Sequence, residues 1–212
     1  NIEPPPIYYK KEKYKNNYED QIIRMDFLRQ EMIPFKLTSY DENKGFYMNV
    51  VILSCGSGIP EVVSKYGHSS EWIPKTINNT NINYSINRVY EYDALDISQG
   101  DAFIITGSKF SVNDNISWIP DLINFTKKIV ESGKSLLGIC FGHQIIASAL
   151  GGLVEKNKLG WELGSYSISL TEDGKKSFIF SNFYNGDIVY ESHQDAVTKL
   201  PNNTIELAFT EK

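Results

Sequence analysis

Apolar positions along this chain fall into two regimes. Before residue 47 they follow no alternation of strands and helices. Glu3, Pro4, Pro5 and Pro6 predict an extended start, and residues 8–18 mix Lys, Asn and Tyr without periodicity. Residues 19–32 place Ile22, Met25, Leu28 and Met32 at steps of three and four, which predicts an amphipathic helix stopped before Pro34. From residue 47 onward, short continuous apolar runs alternate with helical patterns. Residues 47–53, 87–92, 102–106 and 136–140 read as strands, and 60–66 and 143–150 as helices. A further helix over 118–130 carries Trp118, Leu122, Phe125 and Ile129 on one stripe. After Gly152 the pattern is mostly strand, over 163–170, 187–192 and 204–209. Continuous apolar strands separated by helices predict an α/β fold, an open and mostly parallel sheet with helices on both faces. The organisation expected is an N-terminal extension, 1–46, followed by one domain, 47–212.

Composition narrows the function classes. The 212 residues carry a formal net charge of −5, whereas a nucleic-acid protein needs a basic face to neutralise phosphates. No apolar run is long enough to predict a membrane span, and Asn1 to Pro6 lacks the apolar centre of a secretion signal. Neither nucleic acid nor membrane is therefore an expected partner. The two cysteines, Cys55 and Cys140, make no disulfide framework, and a thiol kept free fits a reducing, cytoplasmic setting. The three histidines are widely separated and paired with no Cys/His spacing, so neither a metal site nor a cofactor is expected.

The chemistry concentrates at Gly138, Cys140 and Gly142. An apolar strand that runs into Gly-x-Cys-x-Gly and then a helix is a nucleophile elbow with sulfur in place of a hydroxyl. On so sharp a turn, side chains two residues either side of the nucleophile would collide with each other and with substrate. The turn puts Cys140 at a helix start, where the dipole and free N–H groups favour a thiolate and a developing oxyanion. His143 is carried round the first helical turn and is not expected to face the sulfur. On chemistry alone His193 is a reasonable general base, with Asp195 as its orienter. Cys55 reads as a packed small hydrophobe and His68 as a solvated loop residue.

The segment Gly138-Ile139-Cys140-Phe141-Gly142-His143-Gln144 resembles the nucleophile motif of class I glutamine amidotransferases. Three further segments resemble the same family in order: Ile104 to Ser108, Gly160 to Gly164, and Ser192-His193-Gln194-Asp195 with Val197. Nearest are the stand-alone GMP-synthase-like amidotransferases and gamma-glutamyl peptidases. The resemblance implies a flavodoxin-like fold with Cys140 as nucleophile and an oxyanion hole built from Gly107 and Phe141. It also implies a substrate pocket formed by Gln144, Glu162, Gly164, Ser192 and His193. Here the oxyanion loop reads Thr106-Gly107-Ser108 rather than the family's common Gly-Gly.

The reaction implied is hydrolysis of the glutamine side-chain amide through a gamma-glutamyl thioester, releasing ammonia for a partner synthase. Alternatives are a gamma-glutamyl peptidase acting on gamma-glutamyl peptides or conjugates, and a non-catalytic amidotransferase-like binding or regulatory module. The family's base is a later His-x-Glu, and no His follows His193 in these residues. The expectation is a C-terminal catalytic strand beyond Lys212, because a domain without it leaves a sheet edge open.

Overall fold

The computed structural model describes residues 39–41, 45–77 and 81–211. The helix expected over 19–32 lies outside the described residues. Four parallel strands form the centre: β2 (Gly45–Ser54), β3 (Ile82–Arg88), β4 (Ala102–Ile105) and β5 (Ser135–Gly138). Their order across the sheet is β3-β2-β4-β5, and the short β1 (Ser39–Asp41) pairs antiparallel with the first residues of β2. The register aligns Leu53 with Ile105 and Ile105 with Gly138, so these strands end level with one another. In an open sheet of this kind, ligands collect beyond that carboxyl edge.

Alternation along the strands sorts the core into two layers. Val51, Leu53, Phe103 and Ile105 face α3 (Trp118–Glu131) and α4 (Phe141–Ala149), where Trp118, Leu122, Phe125, Ile129, Phe141 and Ile145 are buried. On the other face Met48, Val50, Ile52, Ala102 and Ile104 are met by Ile73 of α2 (Ser69–Ile77). A shorter helix, α1 (Pro60–Tyr66), precedes α2. Helices thus lie on both faces of an α/β sheet. The outer strand β5 is covered less fully: Leu137 is 42% exposed, and Ile139, just past the strand end, is 41% exposed.

Several elements depart from the sequence expectation. The strand expected at 87–92 runs instead from Ile82 to Arg88, because Ile82, Tyr84 and Ile86 alternate toward the α2 face. Residues 89–91 then turn as a 3-10 helix that drives Val89 into the core. Helix α2 was not expected, since Pro74 lies inside it. The run 163–170 splits into β7 (Glu162–Ser167) and β8 (Ser169–Leu170). Beyond β8 lie the short α5 (Glu172–Lys176) and β9 (Ile188–His193). Strand β7 pairs with β9, whereas β8 pairs with β11 (Ala208–Phe209), the only strand within the expected run 204–209. The pair β6 (Leu153–Lys156) with β10 (Asp195–Lys199) had no clear sequence signal.

Candidate active site

Strand β5 ends at Gly138, and Ile139 still donates its N–H to Ile105 O at 2.9 Å. Cys140 follows with φ 52° and ψ −108° and caps helix α4. A non-glycine residue in that region carries about 1–3 kcal/mol of strain, tolerated where the surroundings over-determine it. The glycines provide those surroundings. A Cβ on Gly138 would stand 2.5 Å from Gly142 O, and one on Gly142 would stand 2.2 Å from Ile105 O. Backbone therefore packs on backbone beneath the thiol, and helix α4 sits directly on β4.

The thiol itself is not poised as the sequence suggests. Cys140 is exposed as a residue, but the cavity wall around its sulfur desolvates the charged form. That burial raises its pKa, the Phe141 N–H hydrogen bond lowers it, and the Glu191 charge raises it further. The helix terminus acts in the expected direction but is outweighed by desolvation and a carboxylate. Cys55, fully buried, is pushed to about 12 by burial and behaves as the inert hydrophobe expected.

Gly107 leaves the end of β4 beside Cys140, and a Cβ built on it would lie 3.6 Å from Cys140 Cβ. Two side chains fix its loop to the end of β2. Thr106 Oγ1 accepts from Cys55 N at 3.0 Å and donates to Gly107 O at 3.1 Å. Ser108 Oγ donates to Cys55 O at 2.6 Å. Phe141, the first residue of α4, turns its N–H toward the sulfur while its ring packs edge-on against Trp118 at 5.9 Å. Both expected oxyanion residues thus flank Cys140.

A cavity of about 1000 Å³ opens here, with Gly107, Cys140, Gln144, Ser192 and His193 on its lining. Lys109, Lys156 and Asp114 supply charge to the same wall, and Trp72, Ile73, Ile77, Leu137 and Ile139 make an apolar side. Gln144 is buried and donates from Nε2 to Asp195 O at 2.9 Å. Gly164, with φ 118°, stands on β7 opposite Glu191 and is not part of the cavity lining. Glu162 is buried behind that lining, accepting from Thr210 Oγ1 at 2.5 Å and from Asn157 Nδ2 at 3.4 Å.

Asp195 does not orient His193. Its carboxylate accepts from Ser111 Oγ at 2.5 Å, whereas His193 Nε2 lies 3.0 Å from Glu191 and 3.7 Å from Glu162. The reason is the turn after His193: β9 pairs with β7, and Asp195 begins β10, paired with β6. Glu191 precedes His193 by two residues on one strand face, a spacing that could have revealed it. Ser111 carried no such signal. His143 is reached by solvent, yet protein packed round the helix start and the neighbouring His193 hold its pKa below the ordinary value. His68 is not a solvated loop residue. Its Nε2 bonds Gly56 O at 2.6 Å, its Nδ1 bonds Ser70 Oγ at 2.8 Å, and its ring stacks on Tyr90. Among the described residues no cluster of His, Cys, Asp and Glu could hold a metal ion, and no helix is long and apolar enough to cross a membrane.

Known proteins resemble this chain in sequence and in fold. A glutamine amidotransferase-like protein of Schizosaccharomyces pombe is 30% identical over 178 residues, covering 77% of this chain and 70% of that protein. Gamma-glutamyl peptidase 4 of Arabidopsis thaliana is 33% identical over 54% of this chain and 47% of its own length, so the match spans about half of that relative. A probable GMP synthase (glutamine-hydrolyzing) of Leptospira interrogans is 37% identical over 50% of this chain but only 17% of that protein. Among solved structures, a glutamine amidotransferase from Thermotoga maritima superposes with a TM-score of 0.62 at 21% identity, over 77% of this chain and 68% of that one. The structural likeness speaks for the fold alone. The family description "Glutamine amidotransferase class-I" matches residues 51–212, and with it the chain belongs to the class-I glutamine amidotransferase family.

Proposed function

We propose that this protein hydrolyses the side-chain amide of glutamine through Cys140. The observation that carries the reading is the placement of Cys140 on a strained elbow, with the Phe141 N–H on its sulfur and Gly107 against its Cβ. The sulfur attacks the amide carbonyl carbon, and the resulting oxyanion is held by the Phe141 and Gly107 N–H groups. Collapse breaks the C–N bond as the proton taken from the thiol is delivered to the nitrogen, so that ammonia leaves and a gamma-glutamyl thioester remains on Cys140. Water then cleaves the thioester, giving glutamate and restoring the thiol. Because the Cys140 pKa is raised, a base must take its proton before attack. The family resemblance assigns that base to a His-x-Glu, and no residue among 39–211 is assigned the role here. The released ammonia would pass to a partner synthase, in keeping with the Leptospira relative, most of whose length has no counterpart in this match.

A second reading is a gamma-glutamyl peptidase, in which the leaving group is an amine rather than ammonia. The cavity of about 1000 Å³, far larger than a glutamine side chain needs, favours it, as do the names of the plant relatives. A glutamine-directed diazoketone, followed by mapping of the adduct, tests the chemistry common to both readings. Labelling at Cys140 that disappears in Cys140→Ala is expected; labelling elsewhere, or full activity in that variant, sinks both. Absence of any labelling leaves a non-catalytic binding module. Rates on glutamine and on gamma-glutamyl dipeptides then separate the two enzyme readings, and a strong preference for dipeptides would overturn the first.

A further inference from the structure

We propose that Asp195 is a positioning residue for the Cys140 reaction, holding the Gly107 loop with its carboxylate and the nucleophile helix with its carbonyl. The inference rests on Cys140 being the nucleophile. Three segments far apart in sequence meet at this one residue. Ser111, four residues after Gly107, donates its hydroxyl to Asp195 Oδ2 at 2.5 Å. Gln144, on helix α4, donates Nε2 to Asp195 O at 2.9 Å. Asp195 itself is fixed by its place in β10, where it pairs with Lys156 of β6.

The loop from Gly107 to Ser117 needs such a clamp. On its inner side Ser108 is tied to Cys55, and Phe110 packs edge-on against Trp118 at 5.8 Å. Its outer side is held to β10 by the Ser111–Asp195 bond and to β6 by Asn113 Nδ2 donating to Val154 O at 3.0 Å. The Ser111 hydroxyl and the Asp195 carboxylate thus tie the loop to a strand 84 residues away. An oxyanion hole works only if its donors stay where the charge develops. Here one donor hangs from the Ser111 loop and the other from the Gln144 helix, and Asp195 joins the two. Its carboxylate makes no bond to His193, so relay through that ring is not its function.

Thiol alkylation and acyl transfer separate this role from simple structural support. Iodoacetamide reacts with a thiolate by displacement and uses no oxyanion hole, whereas acylation by a gamma-glutamyl amide does. In the full chain, Asp195→Ala is expected to slow Cys140 acylation by between about tenfold and a hundredfold, somewhat less than deletion of a donor costs. Its iodoacetamide rate should stay within about twofold of wild type, since the helix start is held by other contacts. Ser111→Ala should match it, the double variant should be no slower than either single, and Asp195→Asn, which still accepts from Ser111, should recover most of the rate. Amide hydrogen exchange in residues 107–113 should quicken in Asp195→Ala, a readout independent of any substrate.

Undiminished acylation in Asp195→Ala overturns the proposal. So do alkylation and acylation falling in step, or effects of the two substitutions that multiply. If wild type is not acylated at Cys140 at all, the glutaminase reading fails, and hydrogen exchange alone then decides the clamp. Unchanged exchange in residues 107–113 overturns it.

Discussion

Gly138 and Gly142 lie backbone against backbone beneath Cys140, so close that a Cβ on Gly138 would meet the Gly142 carbonyl oxygen and the His143 nitrogen at 2.5 and 2.6 Å. Gly142 also leaves no room toward β4, where its Cβ would approach Ile105 O to 2.2 Å. Gly142→Ala must push α4 off the sheet and is expected to cost at least about 2 kcal/mol. Urea unfolding with an unchanged m-value is the measurement. A Gly142→Ala variant as stable as wild type would mean that the elbow is not built on this contact.

Gly107 makes the opposite prediction. Its added methyl would touch Cys140 Cβ at an ordinary contact distance, so the fold should tolerate Gly107→Ala. The methyl would nevertheless crowd the backbone beside Cys140, 3.8 Å from Ile139 O. Turnover of glutamine should fall by about 100-fold or more, comparable to losing an oxyanion donor, with a change in Tm of no more than a few degrees. Equal loss of stability and activity would contradict the assignment of Gly107 to the reaction.

Glu191 raises the Cys140 pKa, because its negative charge disfavours a thiolate nearby. Glu191→Gln removes that charge and should therefore lower the pKa. The pH profile of iodoacetamide alkylation would move toward lower pH, and the rate at neutral pH would rise. Desolvation remains the larger cause, so the profile should still lie above that of an ordinary cysteine. A shift toward higher pH would show that the carboxylate acts chiefly through the His193 ring it contacts at 3.0 Å.

Thr126 is buried on α3, and among the described residues its Oγ1 has no hydrogen-bond partner. Thr126→Val keeps the shape and removes the unsatisfied hydroxyl. It should stabilise the protein by about 1 kcal/mol, read as a higher urea midpoint. A lower midpoint would reveal that the hydroxyl is bonded after all.

The parts legible in the sequence are those governed by local pattern. The glycine spacing at 138 and 142 marked the elbow, and the stripe of Trp118, Leu122, Phe125 and Ile129 marked α3. The continuous apolar runs marked β2 and β4. Strand β3 was displaced because its polar alternate positions, Asn83, Ser85 and Asn87, diluted the apolar signal. Pro74 hid α2, although a single missing N–H does not outweigh the apolar face that Ile73 buries. Two features of the site could not be read at all. The pairing of Asp195 with Ser111 joins residues 84 apart, and the rise in the Cys140 pKa depends on which walls fold around the sulfur. Sequence shows the helix terminus that lowers a thiol pKa; it does not show the desolvation that raises it.

The burial of Cys55 turns the chain into its own reporter of unfolding. At neutral to mildly alkaline pH a thiol-specific dye should count one equivalent in the folded chain, Cys140, and a second only when the core opens. The rate of that second count measures how often β2 is released, without any added label. Alkali acts on the same residue. An unfolded Cys55 ionises near the ordinary thiol pKa of about 8.5, while the folded one holds its proton to about 12. Between those values the unfolded chain binds fewer protons. Each pH unit therefore favours unfolding by up to about 1.4 kcal/mol from this one buried sulfur.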